Sequence, residues 1–152
     1  MYEEKDIIIE TLEYRKARAP HRLIANLEPC IGIGGIYGDR GCLLHTQPVG
    51  WEGRFPEEIR PILRDLRRLK IKPDIYIAGC FRDGRDDEEK MKGREVVLEE
   101  ISKFGLEDCL KEVRWARNLP QVLTLDLAQG IGIIEDQEDF YDDERFTQMT
   151  RY

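Results

Sequence analysis

Residues 30–46 read Cys30-Ile31-Gly32-Ile33-Gly34-Gly35-Ile36-Tyr37-Gly38-Asp39-Arg40-Gly41-Cys42-Leu43-Leu44-His45-Thr46, and the architecture turns on them. Two apolar arms flank Gly38-Asp39-Arg40-Gly41, the pattern of an antiparallel hairpin with a loop longer than two residues. The glycine cluster does not suit a dinucleotide loop, which needs glycine at its first, third and sixth positions and then a helix. Counted from Gly32, the sixth position is Tyr37, and a second strand follows. The glycines are therefore read as places where strands approach closely or bulge.

Upstream, Asp6–Leu12 is a β-branched run of strand length, and Arg22–Leu27 reads as a second strand entered after Pro20 and stopped by Pro29. Downstream, a Gly/Trp/Pro-rich loop over 47–56 leads to a helix over 57–70, with Ile59, Ile62, Leu63, Leu66 and Leu69 at helical spacing and Pro61 within its first turn. Residues 74–81 are nearly all apolar, as in a strand buried on both faces. A charged loop over 82–92 precedes a helix over 93–104 that stops at Gly105. Leu110–Trp115 alternates like a strand, and residues 121–127 and 131–134 form a closing hairpin around Ala128-Gln129-Gly130. This order predicts an α+β fold: mixed, mainly antiparallel sheets layered with two helices.

A chain of 152 residues is one domain long and large enough to bury a core. Hydrophobic residues at 41% and charged residues at 36% suit a globular protein. No apolar run approaches a membrane span, and the start Met1-Tyr2-Glu3-Glu4 lacks the order of a secretory signal, so a cytoplasmic address is expected. Of the net charge of −7, residues 135–152 account for −5, with seven acids against Arg145 and Arg151. The rest of the chain is nearly balanced. The expected organisation is one domain over 1–134 and a flexible acidic tail over 135–152 with Phe140, Tyr141, Phe146 and Tyr152 interspersed. The net charge argues against a general nucleic-acid binder, because phosphate affinity needs a basic face. Cys30, Cys42, Cys80 and Cys109 are too few and too dispersed for a disulfide scaffold and are read as thiols.

Cys30 opens one arm of the hairpin and His45 nearly closes the other. A nucleophilic cysteine needs a neighbouring imidazole to take its proton and later protonate the leaving amine. Register decides whether the two meet. A loop at 36–39 sets Cys30 opposite His45, whereas a loop at 38–41 sets His45 opposite Gly34 and offsets the pair by four residues, about 13 Å at ~3.3 Å per residue. The bland alternative is a buried structural cysteine and a hydrogen-bonding histidine at a strand end. A zinc or thiol-redox reading would use Cys30, Cys42, Cys80 and His45, but Cys42 and His45, three apart on one strand, face opposite sides.

The chain resembles the CheD-type chemoreceptor glutamine deamidases, which share a Cys-His arrangement with the catalytic domains of cytotoxic necrotising factor toxins. The resemblance covers about 23–134 and rests on Cys30-Ile31-Gly32-Ile33-Gly34, the Gly38–Gly41 turn, Leu43-Leu44-His45-Thr46-Gln47-Pro48, Ile77-Ala78-Gly79-Cys80, Gly93-Arg94-Glu95-Val96-Val97 and the closing hairpin. It implies an α/β/β layering and a protein-glutamine deamidase with Cys30 as nucleophile and His45 as general base and acid. It implies no metal and no organic cofactor. Implied partners are a protein substrate of the helical chemoreceptor kind and a CheC-type phosphatase. The chain departs from the family at Glu28-Pro29, where Gly-Ser is usual, and at Ile24, where the family has a supporting threonine. Asn26, four residues before Cys30, has the strand parity to share a face with it, and Cys-His-Asn sets serve other cysteine hydrolases. The expected catalytic set is Cys30, His45 and Asn26; the alternative function is a catalytically silent binding or regulatory module.

Overall fold

The hairpin closes more tightly than its sequence suggests. Tyr37 pairs with Arg40, leaving only Gly38 and Asp39 in the turn. Gly38, at φ +62°, supplies the left-handed first position that a two-residue turn of the Gly-X kind requires. Arg40 and Gly41, expected in the loop, therefore begin the returning strand.

The structure is a computed structural model that describes residues 4–48 and 55–137. Its elements are β1 (Asp6–Ile8), β2 (Tyr14–Arg18), β3 (Arg22–Leu27), β4 (Ile31–Tyr37), β5 (Arg40–Thr46), α1 (Phe55–Arg67), β6 (Asp74–Gly79), α2 (Asp87–Lys103), β7 (Leu110–Trp115), β8 (Gln121–Asp126) and β9 (Ile131–Asp136). They form a four-stranded sheet, β1-β3-β8-β9, and a five-stranded sheet, β2-β5-β4-β6-β7. Among the described residues only β1–β3 and β6–β7 pair in parallel. The fold is α+β, as expected.

Two cores stack to give the layers. On one face of the five-stranded sheet, Ile31, Ile33, Leu44, Ile75 and Ile77 pack against α1 and α2 through Ile59, Ile62, Leu66, Val97 and Ile101. On the other face, Ile36, Leu43, Tyr76 and Ala78 pack against Leu23, Ala25, Leu27, Leu123 and Leu125 of the four-stranded sheet. β4, β5 and β6 are thus covered on both sides, which explains their unbroken apolar runs. The glycines are where the layers come closest. A β-carbon on Gly34 would stand 2.8 Å from a Leu125 methyl, and one on Gly35 would stand 2.5 Å from a methyl of Leu66. Close packing, not nucleotide binding, accounts for the cluster.

Several boundaries differ from expectation. The first strand ends at Ile8 rather than Leu12, because the chain turns at Glu10–Leu12 and crosses to the other sheet as β2. α1 begins at Phe55-Pro56, where proline's missing N–H costs nothing, so Pro61 lies inside the helix instead of in its first turn. α2 begins at Asp87, six residues before Gly93, with Asp87, Glu88 and Glu89 in its first turn. Acids there offset the unpaired N–H groups of a helix start. β9 continues through Glu135 and Asp136, which were expected to open the tail. The aromatics of that tail lie outside the described residues, as do 49–54 of the loop before α1. Among the described residues no helix is long and apolar enough to cross a membrane.

Candidate active site

Neither expected register is the observed one. His45 stands opposite Gly32, so Cys30, one residue before β4, is offset from it by two positions on the same face. That face is the inter-sheet side, since Cys30 packs in the core between the sheets with Leu27 and Ala78. Cys42 packs on the helix side, so it and His45 do face opposite ways.

His45 is held by the corner between β1 and β2. Its backbone N–H donates to the Glu13 carbonyl at 3.0 Å, and its carbonyl accepts the Leu12 N–H at 2.6 Å. Its ring Nδ1 lies 2.7 Å from the Ile9 carbonyl. A carbonyl only accepts, so Nδ1 carries the proton and, in the neutral ring, Nε2 is the acceptor. Nε2 points to the Thr11 hydroxyl at 3.5 Å, and that same hydroxyl lies 4.0 Å from Cys30 Sγ. Thr11 therefore stands between thiol and imidazole. Its corner is a tight turn, with Glu13 N–H on the Glu10 carbonyl, Glu10 N–H on the Glu13 carboxylate, and Leu12 in the left-handed region at φ +70°.

Cys30 is fixed from the other side by the end of β6. The Cys80 N–H donates to the Cys30 carbonyl at 2.8 Å. Gly79 and Cys80 both have positive φ, +99° and +60°, and a β-carbon on Gly79 would lie 2.2 Å from the Cys30 oxygen. Gln121 accepts the Gly79 N–H at 2.8 Å, and Arg94 donates to the Cys80 carbonyl at 2.8 Å. Cys80 is a non-glycine residue in a strained conformation, kept there by bonds on both of its sides.

Of the expected set, Cys30 and His45 are brought together and Asn26 is not. Ala25 and Leu27 point into the inter-sheet core, so Asn26 between them faces the outer side of the four-stranded sheet, opposite Val122 in register. Parity does not carry over because Glu28 and Pro29 turn the chain between β3 and Cys30. Ile24 is on that outer side too, so the position expected of a threonine does not address the thiol. Thr11 was not anticipated. The available signal was the break in apolar character at Glu10-Thr11, which ends a strand and leaves a hydroxyl at the corner.

Cys30 and His45 are nearly covered, at 7% and 5% exposure. Burial foremost pushes the Cys30 thiol above its ordinary range; the Thr11 hydroxyl pulls it back, and Cys80 and Glu28 add to the rise. The resting site thus holds a neutral thiol, not a preformed thiolate. Burial also raises Cys80, and raises Cys42 to about 12. These thiols stay protonated in the fold while unfolded ones ionise near pH 9, so their contribution to stability is complete below that pH and is lost as pH rises towards about 12. The urea midpoint should therefore fall between pH 8.5 and 10.5, and fall less steeply in Cys42→Ala. A midpoint that is flat, or a slope unchanged in the variant, contradicts this.

Among the described residues, no group of three His, Cys, Asp or Glu side chains could hold a metal ion. What the arrangement offers is a proton path from Sγ through a hydroxyl to Nε2. No protein-family model matches the chain, and no curated protein matches it either.

Proposed function

We propose that the chain is a cysteine-dependent amidohydrolase that deamidates glutamine side chains of a protein substrate. One observation carries the reading: the Thr11 hydroxyl lies within reach of both Cys30 Sγ and His45 Nε2. The resemblance to CheD-type deamidases supports the choice of substrate, and Thr11 supplies the hydroxyl missing at Ile24.

In this mechanism the Cys30 proton passes to the Thr11 oxygen as the Thr11 proton passes to His45 Nε2. The imidazolium keeps its Nδ1–H on Ile9, a bond that strengthens when the ring is charged. The sulfur attacks the carboxamide carbon, the tetrahedral intermediate collapses, and the C–N bond breaks as His45 returns a proton to the departing ammonia. Water then adds to the thioester with His45 as base, releasing glutamate and the thiol. Because burial holds the thiol neutral, the proton moves during attack and not before it.

A catalytically silent binding module is the second reading. It is favoured by the raised Cys30 pKa and by the hydroxyl standing where a direct sulfur–imidazole bond would be. Ammonia release from glutamine-containing peptides decides between the two. The enzyme reading expects release by the wild type and none by Cys30→Ala; equal release from both, or none from either over a broad peptide set, favours the silent module.

A further inference from the structure

The end of the sandwich that holds Cys30 has a second feature, on the far side of β6 from His45. A crevice of about 430 Å³ opens between the end of β7 and the start of β8, lined by Arg114, Trp115, Arg117, Asn118, Gln121 and Asp136. Gln121 is the informative residue. It is 1% exposed, and its carbonyl oxygen is occupied by the Gly79 N–H. Its amide nitrogen, with two hydrogens to give, has no partner among the described residues. That nitrogen is not sealed from solvent, the buried unpartnered side-chain atoms among the described residues being Asp87 Oδ1 and Arg94 Nε, so it can donate to a group seated in the crevice.

The surrounding charge states what kind of acceptor. Arg114 is pinned by the Ile134 carbonyl at 2.8 Å and by Asp136 at 3.2 Å. Arg117 is exposed and makes no ion pair among the described residues. Behind Trp115 lies Arg94, its guanidinium 5.3 Å from the ring centroid. Arg114 and Arg117 against Asp136 leave one excess positive charge on the crevice wall, Arg117's, on a chain whose net charge is −7. The crevice also lies near the nucleophile: Gln121 bonds Gly79, and the next residue, Cys80, bonds the Cys30 carbonyl.

We infer that this crevice seats the stretch of protein substrate flanking the target glutamine, and that this stretch is acidic. A carboxylate of the substrate meets Arg117, and a substrate carbonyl or carboxylate oxygen accepts from the Gln121 amide. The inference rests on the amidohydrolase reading, which makes the ligand a polypeptide. Arg117 and Gln121 are then specificity residues, and Gln121 has a second, positioning role through Gly79.

The test separates binding from turnover. Full-length Cys30→Ala protein is titrated, by fluorescence anisotropy at low and at physiological salt, with a labelled peptide carrying glutamine between glutamates and with its lysine-flanked counterpart. The acidic peptide should bind at least about tenfold more tightly, with the gap narrowing as salt screens the charges. Arg117→Glu should remove most of that preference. Gln121→Glu keeps an acceptor for Gly79 but replaces the donor with a charge, and should weaken the acidic peptide similarly. In the otherwise wild-type enzyme, Arg117→Glu should raise KM for the acidic peptide. Equal affinity for both peptides, or acidic-peptide affinity unchanged in Arg117→Glu, overturns the inference. Should Gln121→Glu not fold, as judged by circular dichroism, the Arg117 result decides alone. Selective binding without ammonia release removes the hydrolase reading and keeps the crevice; release without selectivity does the reverse.

Discussion

A His45→Gln variant is expected to fold like the wild type and to release ammonia from a glutamine peptide about 10²–10⁴-fold more slowly, the usual effect of losing a positioned general acid–base. Glutamine suits the test because its amide can donate to the Ile9 carbonyl, which now receives Nδ1–H at 2.7 Å, so no buried acceptor is orphaned. It cannot take up and return a proton. Thr11→Val should lose less, about 10–100-fold, because a hydrogen bond to a charged group contributes about 1.5–3 kcal/mol and each ~1.4 kcal/mol is tenfold in rate. Thr11→Ser, which keeps the hydroxyl, should recover most of that loss; a merely space-filling role for Thr11 would favour valine over serine. Retention of more than about a tenth of the rate by His45→Gln, with Cys30→Ala silent, would remove His45 from the proton path.

Gly79→Ala should be the most damaging glycine-to-alanine change among the described residues. Its β-carbon would meet a backbone oxygen at 2.2 Å, and backbone cannot rotate aside as a side chain can. The residue's φ of +99° adds a penalty of its own for any side chain. We expect a loss of about 4 kcal/mol or more, at the extreme of what point mutations do, with little soluble protein recovered. Gly84→Ala is the matched control: φ is +88°, but nothing lies within 4 Å of the added carbon. It should cost only about 1–2 kcal/mol, the conformational part alone. Urea denaturation of the two variants checks the contrast, and similar losses in both would mean that φ and not the approach to Cys30 sets the cost.

The parts of the fold legible in the sequence are those whose apolar pattern matched their burial. Residues 74–79 read as a two-sided buried strand because Ile75 and Ile77 face the helices while Tyr76 and Ala78 face the other sheet. Tyr14–Arg18 was missed for the opposite reason. Tyr14-Arg15-Lys16-Ala17-Arg18 is an edge strand whose basic side chains face solvent, a common protection against edge pairing, and charge hides it. The turn of α2 formed by Asp87, Glu88 and Glu89 read as loop for the same reason, although those acids are what a helix start favours. At the site, the shared face of Cys30 and His45 followed from alternation within one hairpin. Thr11 and Asn26 did not, because each depends on how the chain turns between strands: a two-residue corner at Glu28-Pro29 cancels the parity of Asn26, and a left-handed Leu12 delivers Thr11 from a different sheet.

That delivery ties the proposed site to the order in which the sheets come together. The strap bearing Thr11 is stitched to both sheets, through Ile9 N–H to Ile24 in one and Leu12 N–H to His45 in the other. The residues it unites are 19 and 34 positions away along the chain, and contacts of such separation are slow to form. A nascent chain with only its central hairpin in place holds a cysteine and a histidine but no hydroxyl between them. On the amidohydrolase reading, the hydroxyl path from Cys30 to His45 is therefore complete only once the two sheets have docked.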